Sequence, residues 1–353
     1  MSGPAGPGRL EACASVTLRD YPVDAAWAPD GRTLLVGLAD GALVCLQIPG
    51  LQIALDLPAH TQSVLALGWQ KAGRLWASSG QDGRVLLWDA RTQAARLLHA
   101  ERQWSERLAF AERGSALAVA SGRTLRVFDE AGQLRYEHGG SPGVITALAW
   151  HPRAAELAGA GNGGVLLHRI AASGPMPAQL PGRDATPPRS LPLRAACVSV
   201  AFHPEGRLLA AGLQEGTVQL WNLSTGSESR LQGHGSRVWA TEWSSTGRYL
   251  ATVAGSLLAI WDFGGRGGAG PTPLRLEAHS ERITAIGFRP AGPWLASAAL
   301  DRRLLWWRIG AGDTPQDAHL LADECSLLRF SRDGALLAAG DASGRLSLYR
   351  CLP

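Results

Sequence analysis

The sequence holds no apolar run near the roughly 18 residues that a bilayer-spanning helix needs, which predicts no membrane span. Its first residues, MSGPAGPGRLEACASV, lack the apolar core of a secretory signal, so the expected location is the cytoplasm. Cysteine is scarce. Cys13, Cys45, Cys197, Cys325 and Cys351 are odd in number, scattered and without a CxxC spacing, which fits reduced thiols better than disulfides or a zinc site. Lys71 is the one lysine and Asn162 and Asn222 the two asparagines, a bias expected of a GC-rich, bacterial genome. No basic block exists either: the net charge of +4 is spread along 353 residues, which argues against nucleic acid as the partner. With 46% hydrophobic and 18% charged residues the composition is that of a soluble globular protein.

What the sequence has in abundance is repetition. VDAAWAPDGRTLLVGLADGALVCLQI from Val23 reads strand, turn, strand, turn, strand, and so do the segments beginning at Val64, Val198 and Ile283. Aligning the units on the aromatic that ends each first strand selects Trp27, Trp69, Phe110, Trp150, Phe202, Trp243, Phe288 and Phe330, spaced 40 to 52 residues apart. Seven of the eight carry a glycine four residues later, where a tight hairpin needs positive φ; the fourth, AWHPRAAELAG, does not. Each unit has room for a fourth, outer strand. Four-stranded antiparallel units at this period predict an all-β fold, a single β-propeller of eight blades, or seven if the third or fourth unit is spurious.

The last unit stops near Arg350 without an outer strand, and Glu11 to Leu18 is a spare strand before the first. Pairing the two would close the propeller, giving a flexible tail over 1–10 and a propeller over 11–353. The widest spacing comes from a proline-rich stretch, 171–192, that reads as an exposed loop, as do 264–273 and 310–317.

Several units, AHTQSV...WASSGQDGRVLLWD among them, resemble the blades of WD-repeat propellers. The resemblance implies a hydrogen-bonded cluster in each complete blade, drawn from a His before the first strand, a Ser or Thr in the second, an Asp in the turn and a Trp on the third. Two blades match in full: His60, Ser78, Asp82 and Trp88, and His279, Ser297, Asp301 and Trp307. The sixth keeps His234, Thr252 and Trp261 with Gly255 near the Asp position, and the fifth has Glu215 with Ala211 in place of Ser. Those blades should lean on apolar packing.

Motifs with chemistry are few. GGSPG, Gly139 to Gly143, fits G-x-S-x-G, but a strand follows where a nucleophile elbow needs a helix. GRGGAG, Gly265 to Gly270, fits a dinucleotide fingerprint, yet PTPLRL after it cannot open a helix to receive phosphates. None of the nine histidines has helical ligand spacing or a neighbouring cysteine, so no metal, cofactor or catalytic residue is expected.

The remaining candidates are the loops that lead into each first strand. Positions six and four before the aligning aromatic select Trp104 and Glu106, Arg237 and Trp239, and Arg282 and Thr284. Trp beside Arg is the composition of an interaction hot spot, although Trp104 and Trp239 could equally pack between blades. The expected function is that of a monomeric, non-catalytic scaffold binding a protein partner on the top face that these loops form or in the central channel. Two alternatives stand beside it: an accessory partner of a CobW-type metallochaperone GTPase, since some stretches are similar to WD-repeat proteins encoded beside such GTPases, and a propeller hydrolase or lyase.

Overall fold

The computed structural model describes residues 8–170, 187–265 and 272–352. Among them every regular element is a β-strand, and the strands form eight antiparallel four-stranded sheets. These are the blades of an eight-bladed β-propeller. The first blade, Pro22–Trp27, Thr33–Leu38, Ala42–Gln47 and Gln52–Pro58, sets the pattern, with consecutive strands paired in order from inner to outer. All eight aligning aromatics end the first strand of their blade, so the repeat read from the sequence is the repeat of the fold.

The chain divides into two compact units. His60–Thr241 holds the second to fifth blades, and Met1–Ala59 with Glu242–Pro353 holds the first, the seventh, the eighth and most of the sixth. In each unit the middle strands are buried on both faces. Leu75–Gly80 has no exposed position, whereas the outer strand Gln52–Pro58 is largely open to solvent. A strand buried on both faces reads as a continuous apolar run rather than an alternation, as LLVGL and ALVCL do.

The glycine four residues past the aromatic has positive φ in all seven blades that carry it, for example 69° at Gly31 and 75° at Gly73. The fourth blade solves its turn with a histidine. His151 Nδ1 accepts hydrogen bonds from the amides of Arg153 (3.0 Å) and Ala154 (2.8 Å), and its Nε2 donates to the carbonyl of Gly206 at 3.2 Å. His203 holds the next turn in the same way, through the amide of Glu205 at 3.0 Å. A side-chain acceptor thus fixes the turn where the left-handed glycine is absent.

The eighth blade takes its outer strand from the start of the chain. Leu10–Thr17 pairs with Arg345–Cys351 in register from Leu10 opposite Cys351 to Thr17 opposite Arg345, with one bulge between Ala12 and Ala14. The pairing is that expected from the sequence, begun one residue earlier. Leu10 and Leu18 are buried, and the Leu10 amide donates to Asp317 Oδ2 at 2.8 Å, tying the strand to the neighbouring seventh blade. The proline-rich stretch behaves differently from a plain loop at its end, because Arg189–Leu191 forms the outer strand of the fourth blade. Residues 171–186 and 266–271 lie outside the described residues.

Removing residues 1–18 would take away this ladder together with two buried leucines, each worth about 1.5–3 kcal/mol of burial. It would also bare the edge of Arg345–Cys351 to other chains. The truncated protein should melt several degrees lower and scatter light on heating. Equal melting temperature and solubility would show that the strand is dispensable.

Candidate functional site

Two polar clusters sit inside the blades. In the second, Trp88 Nε1 donates to Ser78 Oγ at 3.1 Å, Ser78 Oγ lies 2.9 Å from His60 Nε2, and His60 Nδ1 lies 2.9 Å from Asp82 Oδ1. The seventh repeats it with Trp307 to Ser297 at 2.8 Å, Ser297 to His279 at 2.8 Å and His279 to Asp301 Oδ2 at 3.0 Å. Protons can run in one direction only. The indole donates to the hydroxyl, the hydroxyl to Nε2 and Nδ1–H to the carboxylate, so each histidine is neutral. Burial holds both imidazoles below their ordinary pKa, outweighing the adjacent carboxylate. Burial alone would raise the Asp82 carboxyl, but hydrogen bonds from His60 and from the amides of Arg84 and Thr61 hold it below the carboxylate range.

Ser, His and Asp in hydrogen-bonded sequence are also the arrangement of an acyl-transfer triad. Here Ser78 and Ser297 are fully enclosed and each hydroxyl already accepts from an indole, so no substrate carbonyl can reach it. The clusters are therefore structural. They let four polar groups be buried at no unpaired cost.

The other blades show what happens without the set. Thr252 takes the serine's place in the sixth and accepts from Trp261 Nε1 at 3.0 Å. In the fifth, Ala211 offers nothing, and the buried Trp221 Nε1 has no hydrogen-bond partner. Glu215 turns outward instead, 3.1 Å from Thr217 Oγ1 and 3.7 Å from Arg230. Asp82→Ala and Asp301→Ala should each cost about 1–3 kcal/mol in chemical denaturation, and Glu215→Ala under about 1, since only the first two strand a buried donor. Ala211→Ser should stabilise by about 1 kcal/mol by giving Trp221 an acceptor. Equal losses at all three acids would contradict this account.

The fourth blade departs furthest, with His168 and Gly159 at the positions that Trp88 and Ser78 take in the second. Tyr136 of the third blade hydrogen-bonds His168 Nδ1 at 2.8 Å, while Nε2 is buried without a partner. Burial, and then the nearby His138, push the His168 pKa down to about 3. The native state therefore binds fewer protons than the unfolded chain between about 6.5 and 3, so stability present at neutral pH is lost as pH falls through that window. His60 and His279 act with the same sign. His168→Phe should flatten the acid limb of a melting-temperature profile. A Cβ at Gly159 would lie 3.6 Å from Nε2, an ordinary contact, so Gly159→Ser should restore the missing partner and raise the melting temperature. An unchanged acid limb in His168→Phe would refute the assignment.

The loops leading into the first strands hold the residues picked out by spacing. Within His60–Thr241, Trp104 has 51% of its surface exposed and Arg237 is exposed. Trp239 differs: it is half-buried and its enclosed Nε1 has no hydrogen-bond partner. The side chain of Glu106 lies outside the described residues. In the other unit Arg282 is exposed, whereas the Thr284 hydroxyl donates to the carbonyl of Cys325 at 2.7 Å, joining the seventh blade to the eighth. Thr146 does the same toward Cys197 at 2.7 Å, so threonine at that position links blades and has little left for a partner. The same spacing rule also selects Tyr21 and Val144, which the search for Trp beside Arg passed over. They are 38% and 41% exposed.

Nothing in the first unit's inner strands completes a reaction centre. Glu242 accepts from the Phe288 amide at 2.8 Å, and burial pushes its carboxyl up to about 7, but no nucleophile adjoins it in the described structure. No group of three or more His, Cys, Asp or Glu that could hold a metal occurs among the described residues. GGSPG runs from the outer strand of the third blade into the first strand of the fourth, with Ser141 buried.

A family model, "WD domain, G-beta repeat", matches residues 52–89, 189–222, 226–262 and 271–308. These are the second, fifth, sixth and seventh blades, the four that keep the Trp on the third strand. The chain belongs to the WD-repeat β-propeller family. It is 21% identical over 88% of its length to WD repeat-containing protein slp1 of Schizosaccharomyces pombe, of which it covers 54%. It is 23% identical over 73% of its length to Cell division cycle 20.5, cofactor of APC complex, of Arabidopsis thaliana, of which it covers 39%. The chain thus spans about half or less of these relatives. The crystal structure of the computationally designed Ika8 protein superposes with a TM-score of 0.78 at 21% identity, covering 96% of this chain and 99% of that one. That likeness concerns the fold alone.

Proposed function

We propose that this WD-repeat protein is a non-catalytic scaffold that holds a protein partner on the loops leading into its first strands. The carrying observation is a coincidence of position. Six large apolar side chains are exposed among the described residues, and three of them, Tyr21, Trp104 and Val144, stand six residues before the aligning aromatic of their blades. Chance exposure would scatter such residues along the repeat, whereas within His60–Thr241 Trp104 and Val144 share one register on adjacent blades, as a contact surface requires. WD-repeat relatives support the same reading, one of them named as the cofactor of a larger complex. The five free cysteines, with Cys197, Cys325 and Cys351 pushed up to about 12 by burial, fit a reducing compartment and support a cytoplasmic place.

Two tryptophans separate contact from packing. Trp104→Ala should weaken partner capture by about 2 kcal/mol or more and leave the melting temperature within a degree or so. Trp239→Ala should instead lower stability by roughly 3 kcal/mol through the cavity it leaves. Thermal unfolding and pull-down from the native organism read both. A Trp104→Ala protein that captures the same partners with undiminished yield would remove these loops from the interface.

A further inference from the structure

The loops of His60–Thr241 are held against one another by backbone contacts from blade to blade. The Glu101 amide donates to the carbonyl of Gly83 at 3.2 Å, Ile145 to Gly122 at 2.8 Å and Val238 to Leu213 at 3.0 Å. The leading loops of the third, fourth and sixth blades thus each rest on the turn of the blade before. Gly83 shows how closely: with φ of 74° it lies so near the carbonyl of Glu101 that a Cβ there would overlap it. This stacking brings the charged groups of consecutive blades to the same end of the unit.

Those charges are one-sided. Arg102, Arg194 and Arg237 are exposed and take part in no ion pair among the described residues. Arg123 joins them, its Nε donating to the carbonyl of Ser141 at 2.7 Å. The described carboxylates of the same loops and turns have partners of their own. Glu101 meets Arg126 at 2.6 Å, Asp82 is held in the His60 cluster at 2.9 Å, and Glu215 lies 3.7 Å from Arg230. Trp104 and the exposed Val144 stand in the leading loops of the adjacent third and fourth blades of the same unit.

We infer that this surface receives an acidic segment of a protein partner, with carboxylates facing Arg102, Arg194 and Arg237 and a large apolar side chain on Trp104 and Val144. The inference rests on the scaffold reading and adds the chemistry of the partner. Guanidinium forks match carboxylates, and an exposed Trp and Val supply the apolar contact that gives such a pair its affinity. A nucleic acid would use the same arginines. The small number of cations and the aliphatic Val144, which no phosphate backbone needs, favour the peptide.

The test uses labelled peptides and fluorescence anisotropy on the full chain. An acidic apolar probe, Glu-Asp-Leu-Phe-Glu-Asp, should bind at least about tenfold tighter than Lys-Lys-Leu-Phe-Lys-Lys and than Glu-Asp-Ser-Ser-Glu-Asp, and should weaken with salt. Arg102→Glu, Arg194→Glu and Arg237→Glu together should erase that preference, with the melting temperature as the check on folding. Equal binding of acidic and basic probes, no binding of the acidic apolar probe, or indifference to the charge reversal overturns the inference. Tighter binding of single-stranded oligothymidylate overturns it in favour of nucleic acid. A cellular partner lost in Trp104→Ala whose contacting segment is basic would leave the scaffold reading standing while this inference falls.

Discussion

Burial on both faces of the blades is the constraint from which the rest of the structure follows. A sheet between two neighbours has no wet side for its middle strands, so every side chain there must be apolar or find a partner inside. Seven of the eight blades answer this in three ways at two positions, one on the second strand and one on the third, set two residues apart in register. Ser78 with Trp88, Ser297 with Trp307 and Thr252 with Trp261 are polar and matched. Val36 with Leu46 and Val119 with Phe128 avoid polarity altogether and are buried. Ala211 with Trp221 and Gly159 with His168 retain a buried nitrogen without its acceptor. The polar cluster is thus one solution among several, and the unmatched pairs mark where the blades hold unused stability.

The same constraint explains why chain ends and turns carry so much of the hydrogen bonding. A blade with three strands would leave the backbone of Arg345–Cys351 unpaired along one edge, and Leu10–Thr17 supplies the missing partner from more than 300 residues away. Closure by the two chain ends makes the last blade to complete also the one with the longest loop to close. Between blades, side chains reach for backbone. Trp150 Nε1 donates to the carbonyl of Ala109 at 2.8 Å, and Arg329 Nε to the carbonyl of Ala25 at 3.2 Å, which knits the inner strands of neighbouring blades within each unit.

Most of the fold was legible because the repeat is periodic. The aromatic recurs at nearly constant spacing, with a glycine four residues later in seven units, and its register located the first strand of all eight blades, the fourth without its glycine included. The two full clusters were legible through the resemblance to WD-repeat blades, which implies four residue types at set places in the blade. What escaped was whatever depends on side-chain contacts that the repeat does not encode, within a turn or between blades. His151 and His203 hold turns through their ring nitrogens, a role that a histidine before proline does not announce. His168 reads in the sequence as an isolated histidine, because its partner Tyr136 belongs to another blade. Thr284 sits at a position chosen for exposure, yet the neighbouring carbonyl of Cys325 takes its hydroxyl.

Function in such a molecule has to lie where the repeat leaves residues free. Strand interiors are committed to packing, and the turn acids to capping the amides around them, as Asp82 caps Arg84 at 3.1 Å. The residue six before the aromatic carries no such duty, so it varies from Ser63 to Trp104 to Arg237 without disturbing a blade. The charges beside it vary too, and differently in the two units. In Met1–Ala59 with Glu242–Pro353, the exposed Glu281 and Glu324 offset Arg282 and Arg302, whereas in His60–Thr241 the exposed arginines have no such counterweight among the described side chains. Electrostatic steering depends on that local imbalance more than on the chain's total of +4. A mildly basic protein can thus present a selective surface on one unit, where Arg102, Arg194 and Arg237 stand exposed without an ion pair among the described residues.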